Sequence, residues 1–76
     1  MMIASNYSIN VARLETQSDG VERPCHYCRI ELGNMPQNKA EEIFWDICNR
    51  FPSADFDLAL DYVDCRSQTI AIAERR

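Results

Sequence analysis

The chain opens on a strict alternation. Tyr7, Ile9 and Val11 are separated by Ser8, Asn10 and Ala12, the period of two expected of a strand with one buried face. This predicts a strand over residues 7–14. Leu14 follows Arg13 out of phase with that set, so a bulge or twist is expected near the strand's end. The polar stretch that follows closes on Asp19-Gly20, and Gly20 can supply the positive φ that a tight hairpin turn needs. A second strand is predicted over residues 22–32. His26, Cys28, Ile30 and Leu32 form its better core face, with Cys25, Tyr27, Arg29 and Glu31 on the other. Pro24 has no N–H for a ladder and fits a strand start or a sheet edge.

The period then lengthens. Ala40, Ile43, Phe44, Ile47, Cys48 and Phe51 fall on one stripe of a helix over residues 38–51, with Glu42, Asp46 and Asn49 opposite. Asn38 is the expected N-cap, with Glu41 at capping-box spacing. Pro36 is compatible with an earlier first turn, and Pro52 stops the run. A third strand over residues 56–65 sets Phe56, Leu58, Leu60 and Tyr62 on one face and Asp57, Ala59, Asp61 and Val63 on the other. A turn near residues 66–68 leads to a fourth strand over 69–73, with Ile70 and Ile72 sharing a face. Residues 74–76 read as a frayed polar tail.

The order strand, strand, helix, strand, strand predicts a single α+β domain over residues 1–76: a four-stranded, mostly antiparallel sheet with one helix packed on one face (ββαββ). The expected core is Ile9, Val11, Cys28, Ile30, Leu32, Leu58, Leu60, Ile70 and Ile72. It lies under the helix stripe, with Phe44 and Ile47 central.

At 76 residues there is room for one small domain, which buries only roughly 60% of its unfolded surface. Twelve Asp and Glu against eight Lys and Arg give a net charge of -4. That balance argues against unaided phosphate binding, which takes clustered Lys and Arg. No apolar run approaches the roughly 18 residues of a membrane span. The N-terminus turns polar at once with no basic flank, so no secretory signal is expected. The expected location is cytoplasmic, where thiols stay reduced.

Cys25-His26-Tyr27-Cys28, with Cys48 and Cys65, offers four thiols that could hold zinc or exchange disulfides. A zinc knuckle needs a tight turn, however, and a redox pair normally opens a helix. This pair lies in an alternating strand, where residues three apart point to opposite faces. The four cysteines are therefore read as structural and remain only as metal candidates; no cofactor is expected. His26 is the sole histidine. No nucleophile elbow, paired-histidine motif or glycine-rich phosphate loop accompanies it, so no catalytic residue and no enzyme is expected.

The carboxylates give a clearer pattern. Glu41, Glu42 and Asp46 lie along the outer side of the helix. Asp57 and Asp61 lie on the non-core face of the third strand, about 13 Å apart at strand rise. These are either solvated acidic faces or a surface that draws a basic groove. Trp45, at the margin of the helix stripe, and Tyr27, on the open face of strand two, are candidate aromatic anchors.

As an architecture, this acidic single domain with a short antiparallel sheet and one helix resembles the small anti-CRISPR proteins encoded by phages and mobile elements. The likeness covers the whole chain and carries no shared motif, so no functional residue is carried over. It implies a protein, in the host cytoplasm if phage-encoded, that inhibits a CRISPR effector complex by occluding a basic DNA-binding channel, here that of a type I effector. The expected partner is a protein with a basic surface, with no direct nucleic acid and no membrane. Glu41, Glu42, Asp46, Asp57 and Asp61 would supply charge, and Trp45 or Tyr27 an anchor. Two other readings stand beside it. One is a small structural or homodimerisation module pairing through its open sheet face or edge. The other is a small zinc-binding domain.

Overall fold

The computed structural model describes residues 6–64 and 66–75. Its elements are β1 (Asn6–Thr16), β2 (Glu22–Gly33), α1 (Gln37–Cys48), β3 (Phe56–Val63) and β4 (Thr69–Arg75). The strands form one sheet of order β2-β1-β3-β4, antiparallel at every neighbouring pair. The α+β, ββαββ fold is as the hydrophobic pattern predicts.

Burial follows the strand alternation. Tyr7, Ile9 and Val11 of β1 and Leu58 and Leu60 of β3 are buried, and they pair across the two central strands as Tyr7↔Tyr62, Ile9↔Leu60 and Val11↔Leu58. From the helix, Ala40, Phe44 and Cys48 complete the core, four residues apart and so stacked on one face. Ile47, expected at the centre, is only half-buried and packs at the core's margin. One helix is about as wide as two strands, so β2 and β4 are covered only in part.

The helix starts earlier than its polar residues suggest. Pro36 is the N-cap, in extended backbone, and no side chain caps the helix; Asn38 lies within the first turn. The Pro36 carbonyl accepts from the N–H groups of Lys39 and Ala40, each at 3.1 Å. The helix ends at Cys48, with Asn49 as C-cap, three residues short of the predicted end.

Three extra residues set the register. Tyr27 is one, since Val11 pairs with Cys28 while Ala12 pairs with His26. Leu32 is the second, since Ser8 pairs with Glu31 while Tyr7 pairs with Gly33. Ile72 is the third, since Leu60 pairs with Ala73 while Asp61 pairs with Ala71. Each is a bulge, which period-two reasoning cannot register because one inserted residue flips every side chain beyond it. The bulge expected near Leu14 is absent: β1 pairs with β2 without a shift from Ala12 to Thr16.

Several expectations are corrected. His26 is exposed rather than in the core. Ile70 is 46% exposed. β4 runs to Arg75, so Glu74 and Arg75 are sheet residues and not a frayed tail. Gly20 does have the expected positive φ, 81°, in a turn closed by the Gln17 carbonyl accepting from the Gly20 N–H at 2.9 Å.

Candidate functional site

Cys25 pairs with Arg13 and Cys28 with Val11. Both partners lie on the helix side of β1, in phase with Ile9. The bulge at Tyr27 therefore brings Cys25 and Cys28 to one face, two rungs apart, where uninterrupted alternation predicts opposite faces. His26, paired with Ala12, falls on the other face, so the Cys-His-Tyr-Cys run does not converge. Among the described residues, no three of His, Cys, Asp and Glu are grouped to hold a metal ion; Cys65 lies outside those residues.

Two thiols are tuned away from reactivity. Cys25 donates to the Glu15 carboxylate; this bond, burial and the charge of Glu15 all push its pKa up. Cys48 is pushed up by its burial, against a smaller lowering by the Arg75 charge. A raised pKa keeps the thiol protonated at neutral pH, and the protonated form is a poor nucleophile and metal ligand.

Tyr27 does not lie on the open face. Its ring meets Phe56 edge-on at 5.2 Å, and Phe56 meets Phe51 in the same way at 5.1 Å. Phe56 is in phase with Leu58 and Leu60, so the Tyr27-Phe56-Phe51 row runs along the helix side. The bulge causes this placement by turning Tyr27 to the same side as Cys28. Trp45 is 47% exposed and leans edge-on against Phe44 at 4.9 Å.

The expected carboxylates separate onto two faces of the molecule. Glu42 and Asp46 are exposed and Glu41 half-buried on the helix. Asp46 meets Arg50 at 3.4 Å between two exposed side chains, a pair of little energetic weight. Asp57 and Asp61 lie across the sheet, on the face without a helix. One surface therefore cannot hold both sets.

The open sheet face is the more structured of the two. By the register, Glu31 and Arg29 of β2, Ser8, Asn10 and Ala12 of β1, Asp57, Ala59 and Asp61 of β3, and Ala71 and Glu74 of β4 share it. Arg29 and Glu31 pair at 2.8 Å, and Asn10 donates to the Asp61 carboxylate. Between them Ser8 is buried, its hydroxyl without a partner among the described residues. Beside this polar patch is a hollow of about 360 Å³ lined by Asn10, Ala12, Pro24, Asp57, Leu58, Ala59 and Glu74. The small Ala12 and Ala59 side chains, diagonal to each other across β1 and β3, leave the space, and Asp57 and Glu74 charge its walls. Glu74 and the hollow were not legible in the sequence, because the Ile72 bulge hides which face Glu74 takes.

Comparison with family models, curated proteins and solved structures finds no match for this chain.

Proposed function

We propose that this chain is a non-enzymatic binding protein that receives a basic protein surface on the open face of its sheet. The observation that carries the reading is the charge of that face. Among the described residues placed on it by the register, Glu31, Asp57, Asp61 and Glu74 carry acidic side chains and Arg29 a basic one, around a hollow floored by alanines. A face of this sign attracts Lys- and Arg-lined grooves and repels nucleic acid. The hollow is wide enough to seat a long cationic side chain between Asp57 and Glu74.

The specific form of the reading is the one the architectural resemblance implies: a cytoplasmic anti-CRISPR inhibitor that occludes the basic DNA-binding channel of a type I effector. The acidic sheet face, rather than the outer side of α1, is then the surface that competes with DNA. No described helix is long and apolar enough to cross a membrane.

The test is phage plating on cells with an active type I CRISPR system, with and without the chain. Restored plating is expected, lost in D57K/E74K and retained in E42K/D46K. Plating equally restricted across several type I systems overturns the inhibitor. Loss confined to E42K/D46K moves the site to the helix.

A further inference from the structure

Among the described residues β2 and β4 are the edges of the sheet, and they are unlike. β2 carries Pro24, bulges at Tyr27 and Leu32, and the charged Arg23, Arg29 and Glu31. These features discourage further strand pairing. β4 instead reads Thr69-Ile70-Ala71-Ile72-Ala73, with no charge, proline or glycine before Glu74. Its first part is regular, pairing Val63↔Thr69, Tyr62↔Ile70 and Asp61↔Ala71 before the shift.

The direction of its backbone groups follows from one bond. The Gln68 carbonyl accepts from the Asp64 N–H at 3.1 Å, so Gln68 points its polar groups toward β3. Direction alternates along a strand. Ile70 therefore also points inward, while the N–H and C=O groups of Thr69 and Ala71 face out from the sheet edge. Ile70 itself, opposite Tyr62 and so on the helix side, is 46% exposed.

We propose that this edge is a homodimer interface: β4 pairs antiparallel with β4 of a second copy, about a two-fold axis at Ile70. In that register Thr69 of each copy faces Ala71 of the other, and each such pair exchanges both of its N–H···O bonds. Ile70 then faces its own symmetry mate in a non-hydrogen-bonded pair, where side chains approach most closely. That contact covers the exposed Ile70. An axis at Ala71 would set Thr69 against Ala73, whose groups point inward to Leu60, so the edge selects the Ile70 axis.

Trp45 is on the helix flank that faces this edge. β2 and β3 are each antiparallel to β1 and so parallel to each other, with α1 crossing between them. Such crossovers are right-handed. In that hand, the helix flank about 100° past Phe44 overhangs the β3–β4 side, and Trp45 occupies it, 47% exposed. Two copies joined at β4 continue both sheets as one, with a Trp45 flank on the seam side of each.

Sedimentation over a concentration series tests the pairing. The expected result is a mass that doubles with concentration, and an Ile70→Asp variant that stays monomeric with an unchanged far-ultraviolet spectrum, since Ile70 is outside the buried core. Under mild oxidation I70C is expected to link to its own position in a second chain, identified by peptide mass, while A71C does not self-link. A wild-type chain monomeric at every concentration, or a dimer that survives I70D, overturns the proposal. The acidic sheet face is a different surface, so either result leaves the proposed function standing.

Discussion

The guanidinium of Arg75, in the last strand, donates to the carbonyl oxygen of Cys48 at the end of the helix. It also donates to the carbonyls of Phe51 at 2.6 Å and Phe56 at 2.9 Å. One side chain thus satisfies acceptors from the helix terminus, the following loop and the start of β3. Helix ends leave carbonyls unpaired, and a cation there is favoured by the helix dipole. No basic residue sits in the last turn of α1 itself, so Arg75 supplies from the sheet what the helix sequence lacks.

Arg75→Ala is expected to cost about 3 kcal/mol, since hydrogen bonds to charged groups contribute roughly 1.5–3 kcal/mol each and do not add fully. Arg75→Lys is expected to recover only part, because an ammonium lacks the fork that reaches three carbonyls. Urea unfolding of the three proteins measures both.

Phe44 and Ile47 separate the buried stripe from its margin. Phe44 is fully buried and Ile47 half-buried. Phe44→Ala is expected to cost about 3–5 kcal/mol, enough to unfold a domain of this size. Ile47→Ala is expected to cost about 1–2 kcal/mol, less than for a fully buried isoleucine. Thermal midpoints give the order.

Asp57 and Asp61 are not equivalent probes of the acidic face. Asp61 accepts from Asn10, beside the buried Ser8 hydroxyl. Asp61→Lys is expected to lose about 1–3 kcal/mol by leaving the Asn10 amide without its acceptor. Asp57→Lys is expected to lose less, and so reports on binding rather than folding. Denaturant midpoints of the two variants make the comparison.

Cys25 and Cys48 both hold their protons more tightly folded than unfolded. The stability linked to each is therefore present below the ordinary thiol pKa of about 8.5 and is lost as pH rises through the raised folded value. Melting temperature is expected to fall on the alkaline side, more shallowly in Cys48→Ala compared with its own value at neutral pH. Alkylation at neutral pH is expected to be slower at the buried Cys48 than at the half-buried Cys28.

The sequence by itself determined the elements and the order of the fold. Two-residue alternation in Tyr7-Ile9-Val11 and Leu58-Leu60, a four-residue stripe in Ala40-Phe44-Cys48, and Gly20 in the hairpin turn are local signals, each read within a few residues. Tertiary structure decided everything that depends on register. Extra residues at Tyr27, Leu32 and Ile72 leave the local pattern nearly unchanged, yet each flips what lies beyond it. They bring Cys25 and Cys28 to one face, turn Tyr27 toward Phe56 and put Glu74 on the wall of the hollow. The site was illegible for the same reason. Glu41, Glu42 and Asp46 look equivalent to Asp57 and Asp61 as charges in a string, and only packing α1 on one side of the sheet sets the two groups on opposite faces. Arg75 is the extreme case. It reads as part of a polar tail, because a contact spanning 27 residues has no trace in local composition.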